Sequence, residues 1–237
     1  MKKGAVKWLL VFMLTTLAVA LGGCAGDKEG ESSSQITIGI PQDLEDSLDP
    51  HKAVAAGTKE VLFNLFEGLV KPTSDGDLIP AVASAYEESE GGKVYTFTLR
   101  DGVKFHDGSL VTAEDVKFTF DYMKEHPYKW VSVSMVEEAS VVDEHTVEIK
   151  LNKTYNPFLS DVAGSLPILP KHIWENVTEP ETFTEPEAAI STGPFILENY
   201  DSAAGTYTLK ANDYFSFCPQ LLKVCGQYNH FTKLLIY

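Results

Sequence analysis

The chain has 237 residues, of which 44% are hydrophobic, a composition that favours one or two folded domains over a disordered segment. It contains 34 acidic and 19 basic residues, which give a formal net charge of −15 at pH 7. This charge argues against nucleic acid as a partner, because nothing in the chain could neutralise a run of phosphates.

The N-terminus has the layout of a bacterial lipoprotein signal. Three lysines among the first seven residues precede an apolar run, Trp8 to Leu21, that is too short for a comfortable membrane span. The run ends in Leu-Gly-Gly-Cys at Cys24, which resembles a lipobox, where a signal peptidase cuts before a cysteine that carries diacylglycerol. We therefore predict a signal peptide over residues 1–23, lipidation of Cys24 and a flexible tether over residues 24–35.

The first elements after the tether are a strand and a helix. Residues 36–40 form a β-type run closed by Pro41, which predicts the first buried strand. Residues 53–70 carry apolar side chains at three- and four-residue spacings, which predicts a helix with stop signals at Gly68 and just beyond. The segment between them is polar and acidic and is predicted to be a loop.

Strands and a capped helix follow. The side chains of residues 93–100 alternate in character along the chain with the two-residue period of a β-strand, which predicts a strand. Residues 103–106 predict a second short strand after a turn. Thr112 is followed three residues later by Asp115, the spacing of a capping box, which predicts a helix over residues 113–125.

The remaining elements are short. They are a hairpin over residues 139–142 and 146–151, helices over 157–163 and 170–174, a strand pair over 193–200 and 206–211, and a possible strand over 234–237. Strands and helices mix without a regular βαβ repeat, so the pattern predicts an α/β or α+β fold. The first and last strands could then share one sheet.

Five motifs along the chain carry a resemblance to a known family. They are Ser47–His51 (SLDPH), Leu65–Leu69 (LFEGL), Tyr95–Gly108 (YTFTLRDGVKFHDG), Thr112–Val116 (TAEDV) and Ser191–Phe195 (STGPF). In order and spacing they resemble the bacterial extracellular solute-binding proteins of family 5, which include the oligopeptide-, dipeptide- and nickel-binding proteins. The motif residues themselves are interpreted as turn, cap and core positions rather than as ligand contacts.

The resemblance implies a mixed α/β (α+β) fold of the periplasmic-binding-protein-like type II, in which two lobes close over a solute. The first lobe is implied to be discontinuous, over residues 36–62 and 190–237, with a smaller inserted domain over residues 63–189. Relatives continue into a further large lobe. We therefore expect a C-terminally truncated chain that lacks the second ligand-binding lobe, with a tail after about Phe215 that is either native or frameshifted.

The resemblance also implies the substrate-binding component of an ABC importer. Such a protein captures peptides at the outer face of the cytoplasmic membrane, periplasmic or cell-surface, and delivers them to ABC permease subunits. We expect a monomer, attached to the membrane by its lipid anchor, without a cofactor. In relatives the loop after the first strand faces the cleft, so Asp43 and Glu45 are candidate contacts for a cationic group, a solvated acidic loop being the alternative interpretation.

Other functions stay open at this point. One is binding of nickel or another small solute, although the histidines are scattered without HxxH or HxxxH spacing and no metal site is predicted. Others are a peptide-sensing receptor module and a non-functional truncated fragment. An enzyme is not expected, since the sequence has no GxSxG, HExxH or P-loop motif. Whether Cys218 and Cys225 form a disulfide is also open.

Overall fold

The computed structural model describes residues 34–38, 51–52, 56–73, 75–183, 185–201, 206–215 and 231–236. These residues lie within one compact unit, Ser34–Tyr237. Several predicted features lie outside the described residues, namely the signal peptide, the lipidation residue Cys24, the candidate ligand contacts Asp43 and Glu45, and both C-terminal cysteines.

One four-stranded sheet joins the two ends of the described chain. Its strands, in spatial order, are β1 (Ser34–Ile38), β10 (Phe231–Ile236), β9 (Thr206–Ala211) and β8 (Phe195–Asp201). β1 runs parallel to β10, whereas the other two pairs are antiparallel. The first and last strands therefore share one sheet, as the sequence analysis allowed.

A second four-stranded sheet forms the middle of the chain. Its strands, in spatial order, are β4 (Ala83–Ser89), β5 (Val94–Leu99), β7 (Thr146–Leu151) and β6 (Val136–Asp143), and all neighbours are antiparallel. A small antiparallel hairpin of β2 (Val70–Pro72) and β3 (Leu78–Pro80) precedes it. The predicted strand at residues 93–100 and the β6–β7 hairpin are confirmed.

The helix α2, Ala113–Glu125, begins and ends where the sequence predicts. Its first turn is capped because the Asp115 carboxylate accepts hydrogen bonds from Thr112 N (2.9 Å) and from the Thr112 hydroxyl (2.8 Å). Val116, Phe120 and Met123 are at most 1% exposed on the face that packs against β6 and β7. Local capping and apolar spacing therefore determine this element.

The first helix is shorter than predicted. α1 is Ala56–Leu65, so the prediction of a helix over residues 53–70 is wrong at its C-terminal end. The backbone leaves the helix because its N–H groups find hydrogen-bond acceptors elsewhere in the chain instead of within the helix. Leu69 N–H donates to the Ala163 carbonyl at 2.7 Å. Val70 then enters the β2–β3 hairpin.

The strand predicted over residues 103–106 does not form. Phe105 N–H donates to the Ser109 carbonyl and Gly108 N–H to the Phe105 carbonyl, both at 2.9 Å, so the segment folds back on itself. Gly108 has φ +87°, a conformation that favours glycine. A single bridge between Lys104 and Leu110 is the only β pairing within this described segment.

Two short helical elements agree in place with the sequence analysis. They are a π-helical turn at Phe158–Ala163 and the helix α3 at Lys171–Trp174. The structure adds 3₁₀ turns at Pro180–Thr182 and Pro186–Ala189, which the sequence analysis did not predict. The β8–β9 pair is confirmed, although its loop, residues 202–205, lies outside the described residues. Among the described residues, no helix combines the length and apolar character needed to cross a bilayer.

Buried apolar side chains form two separate clusters. The larger lies around the β4–β5–β7–β6 sheet and α2, and includes Leu69, Tyr95, Phe97, Phe105, Phe120, Ile149, Phe158, Leu169 and Trp174. The smaller joins α1 to β8 and β9, and comprises Val61, Leu62, Leu65, Phe66, Phe195, Tyr207 and Leu209. Trp130 packs against both clusters. The predicted division into a first lobe, residues 36–62 and 190–237, and an inserted domain, residues 63–189, stays a prediction.

Candidate functional site

A groove of about 250 Å³ opens beside the C-terminal end of α1. Four parts of the chain form its walls: the end of α1 with the turn after it, strand β2, the residue that follows strand β3, and the turn after the π-helical segment. The lining residues are Phe63, Phe66, Glu67, Gly68, Val70, Lys71, Pro72, Ala81, Gly164 and Ser165. A narrower hollow shares six of these residues and continues past Lys59, Leu62, Trp130 and Pro167. The two hollows together form one groove between the two apolar clusters.

Close backbone packing brings these walls together. A Cβ on Gly68 would overlap the Ala163 carbonyl oxygen, so only glycine fits at this crossing. On the opposite side, a Cβ on Gly164 would lie 3.0 Å from the Pro72 side chain. The glycines therefore set the spacing between the turn after α1 and the turn after the π-helical segment.

Glu67 is a buried acidic residue that lines this groove. The residue is only 9% exposed, and its main-chain carbonyl accepts a hydrogen bond from Ile168 N at 3.1 Å. Its carboxylate accepts no hydrogen bond from any described residue and forms no ion pair with one. Burial raises the pKa of Glu67 from 4.5 to about 7, and the charges of Lys71 and Arg100 oppose this rise. The wall of the groove thus contains a buried acidic residue whose pKa is raised by burial.

Arg100 lies behind the groove wall. Its Nε donates a hydrogen bond to the carbonyl of Ala81 at 2.6 Å, and Ala81 lines the groove. The sequence analysis interpreted the motif around Arg100 as structural, and this contact between Arg100 and the wall agrees with that interpretation. Lys71, by contrast, lines the groove directly and is only partly buried.

Aromatic side chains supply the apolar part of the groove. Phe63 is 46% exposed, which is high for a phenylalanine. Trp130 stacks on Tyr128 with ring centroids 5.1 Å apart, and the Lys59 ammonium lies 5.6 Å from the Trp130 ring centroid. Apolar walls with a few convergent polar groups are typical of small-molecule sites.

A second polar cluster ties two of the family motifs together. Ser191 N–H donates to His106 Nδ1 at 3.2 Å, and the other ring nitrogen lies 3.1 Å from the Gly193 carbonyl. Nδ1 is therefore the acceptor and Nε2 carries the proton, which makes this histidine neutral. Burial lowers the pKa of His106 and favours the same state. This cluster links the middle of the chain to the segment before β8 and has a structural role.

Comparison with known proteins identifies the family. Residues 77–228 match the family model described as bacterial extracellular solute-binding proteins, family 5 middle. This chain belongs to that family. The oligopeptide-binding protein AppA of Bacillus subtilis is 30% identical over 93% of this chain and 44% of its own length. The nickel-binding periplasmic protein of Escherichia coli is 30% identical over 68% of this chain and 31% of its own length.

Solved structures agree on the fold. The structure of AppA from Bacillus subtilis in complex with a nonapeptide matches with a TM-score of 0.72 at 22% identity, over 86% of this chain and 39% of AppA. The predicted mixed α/β fold of periplasmic-binding-protein-like type II is therefore confirmed. This family 5 chain spans less than half the length of these relatives.

The structure adds one site residue that sequence reasoning missed. Glu67 belongs to the LFEGL motif, which was interpreted as structural, yet the residue lines the groove. One signal was available: Glu67 is the single charged residue in the run from Val61 to Val70. Asp43 and Glu45 lie outside the described residues and stay predictions. Among the described residues, no group of three or more His, Cys, Asp or Glu side chains could hold a metal ion.

Proposed function

We propose that this family 5 chain is the substrate-binding component of an ABC importer and that it captures peptides for a permease. It acts by binding rather than by catalysis. The groove supports this proposal most strongly, because an exposed aromatic residue and a buried acidic residue both line it in a member of a family that includes oligopeptide-binding proteins. Peptides offer complementary apolar side chains and charged termini.

The size of the groove sets what it could hold. A volume of about 250 Å³ lies just below the range of roughly 300–1,000 Å³ that is usual for small-molecule sites. The groove therefore suits one part of a peptide, such as a terminal residue, rather than a whole oligopeptide. The partly exposed ring of Phe63 would be covered by that part of the peptide.

Binding of nickel or another small solute is the second candidate, because the nickel-binding periplasmic protein of Escherichia coli is among the relatives. Calorimetric titration of the purified chain with di-, tri- and tetra-alanine and, separately, with NiCl₂ distinguishes the two. We expect heat from the peptides and quenching or a shift of the Trp130 fluorescence, which Trp130→Phe removes. Binding of Ni²⁺ without binding of any peptide would overturn the proposal.

We also propose that the protein is held at the outer face of the cytoplasmic membrane by lipid on Cys24. The signal-like N-terminus supports this, since its lysines, apolar run and Leu-Gly-Gly-Cys sequence agree in order and spacing. Two or more acyl chains would give stable attachment. Cys24→Ser is expected to release the protein from the membrane fraction, and mass spectrometry of the N-terminal peptide would show loss of the lipid mass. Unchanged fractionation would contradict the anchor.

Partners and further ligand contacts follow from the same proposal. Asp43 and Glu45 are proposed contacts for a cationic group of the solute, and ABC permease subunits are the proposed protein partners of a monomer. Peptide uptake by cells that express the chain, compared with cells that lack it, separates an importer component from a peptide-sensing receptor module. Peptide binding without any effect on uptake would favour the sensor.

A further inference from the structure

His106 is bonded three times to the segment Ser191–Gly193, and these bonds together are called the His106 clasp. His106 N–H donates to the Ser191 carbonyl at 2.8 Å, and Ser191 N–H donates back to ring Nδ1 at 3.2 Å. Ring Nε2 donates to the Gly193 carbonyl at 3.1 Å. The bond from Ser191 N–H depends on the charge of the ring, because Nδ1 accepts a hydrogen bond only while it carries no proton.

The segment held by the clasp also supports the end of α1. Gly193 N–H donates to the carbonyl of Leu65, the last residue of α1, at 2.9 Å. A Cβ on Gly193 would overlap the same carbonyl, so the two backbones are in direct contact. On its other side, the Asn212 side chain donates to the Gly193 carbonyl at 2.9 Å. The clasp therefore joins the turn around His106 to the helix that borders the groove.

The side chains of the held segment make its release easier. The hydroxyl groups of Ser191 and Thr192 are buried, and neither has a hydrogen-bond partner among the described residues. A buried hydroxyl without a partner is unfavourable, because it has lost its bonds to water. Release of the segment would return both hydroxyls to water and would offset part of the loss of the clasp.

The groups around His106 act on its charge in both directions. Burial has the largest effect and lowers the pKa of the ring, whereas the carbonyls of Gly193 and Ala189 and the charge of Asp107 raise it. The Asp107 carboxylate is also bonded to His172 Nε2 at 2.7 Å, so its charge is shared between the two histidines. The balance favours a neutral ring in the clasped state.

We propose that His106 is a pH-sensitive clasp, which holds Ser191–Gly193 while its ring is neutral and releases this segment when the ring is protonated. In the protonated ring Nδ1 carries a hydrogen and faces Ser191 N–H, so two donors meet where one bond was. Release then separates Gly193 from Leu65 and removes a support from the end of α1. The clasp needs no solute and is independent of what the groove binds.

The sign of the pH dependence follows from the two states of the ring. A released ring is hydrated and titrates at its ordinary pKa of about 6.5, whereas burial holds the pKa lower in the clasped state. The released state therefore binds more protons in this range, and release becomes more favourable as the pH falls. Between about pH 7.5 and about pH 5.5, the equilibrium constant for release should rise by up to about tenfold.

Amide hydrogen exchange of the purified chain, followed by NMR and corrected for intrinsic exchange rates, measures this release. Protection of the Ser191 amide should fall by up to about tenfold from about pH 7.5 to about pH 5.5, and the Gly193 amide should follow it. Leu151 N–H, which donates to the Lys93 carbonyl beside the second sheet, reports unfolding of that sheet. Ser191 should be less protected than Leu151 at both pH values, because release is local. Equal protection of the two amides would overturn the clasp.

Two histidine variants identify the titrating group. His106→Asn keeps a side-chain acceptor that does not titrate, so the extra loss of Ser191 protection at acid pH should disappear. His145→Asn removes an exposed histidine from the turn between β6 and β7 and should behave as wild type. The same loss of protection in wild type and His106→Asn would overturn the assignment.

A ring measurement on wild type decides the question if His106→Asn does not fold. ¹⁵N NMR of the histidine rings should show the proton of neutral His106 on Nε2, and protonation of this ring should coincide with the loss of Ser191 protection. Titration of His106 without any change at the Ser191 amide would overturn the clasp.

Discussion

Replacement of Glu67 by Gln should change how stability depends on pH, even without any ligand. Burial raises the pKa of this carboxyl from 4.5 to about 7 in the folded protein. Between these two values the folded state binds more protons than the unfolded chain, so the free energy of unfolding falls as the pH rises. At about 1.4 kcal/mol per pH unit, the contribution of Glu67 amounts to about 3 kcal/mol lost across that range.

Urea denaturation of wild type and Glu67→Gln measures this contribution. The difference in the free energy of unfolding, Glu67→Gln minus wild type, should be about 3 kcal/mol larger at about pH 8 than at about pH 4.5, because only wild type loses stability as the pH rises. The amide has its own burial penalty, but that penalty does not change with pH and cancels in the comparison. Other carboxyl groups titrate equally in both proteins.

Glu60→Gln provides the control, because it removes an exposed carboxyl from the same helix and leaves the groove as it is. Its curve should follow that of wild type at both pH values. If wild type and Glu67→Gln differ by the same amount at both pH values, the carboxyl is not held in the protonated form by burial. The reasoning that places Glu67 as an unsatisfied group in the groove would then be refuted.

Three further predictions concern the groove and its supports. Phe63→Ala should weaken trialanine binding several-fold with little change in melting temperature, because burial of the exposed half of this ring is worth roughly 1 kcal/mol; calorimetry checks this, and an unchanged affinity contradicts it. Gly68→Ala should lower the free energy of unfolding by roughly 1–3 kcal/mol in urea, since its Cβ overlaps the Ala163 carbonyl, and a neutral substitution would refute the close crossing. The lowered pKa of His106 means that the unfolded state binds more protons just below pH 6.5, so stability should fall there as the pH falls. His106→Asn should lose this acid sensitivity in thermal denaturation, and an unchanged profile would exclude His106 as its source.

Elements with strong local signals could be predicted from the sequence. The bounds of α2 follow from the Thr112–Asp115 capping box and from apolar residues on one face. The hairpin of β6 and β7 follows from apolar runs on either side of a polar turn. These signals work because the interactions that decide the structure lie within a few residues of each other.

Elements decided by tertiary contacts could not be predicted in this way. β4 was missed because only Ala83 at its start is buried, and the rest of the strand is an exposed edge that pairs with β5 alone. The sequence predicts a C-terminal end of α1 beyond the observed one at Leu65, because the helical spacing of apolar residues continues through Leu69. The distant carbonyl of Ala163 ends the helical pattern there.

The sequence by itself determined the family and the class of fold, since five motifs in fixed order carry the resemblance, and those that the structure describes occupy turn, cap and core positions that local chemistry specifies. Only the tertiary structure showed that Glu67 is buried in a groove. Its burial arises where the turn after α1 meets the turn after the π-helical segment, and these segments are far apart in the chain. The charge state of a side chain depends on the water that surrounding atoms exclude, and those atoms come from every element that packs around it.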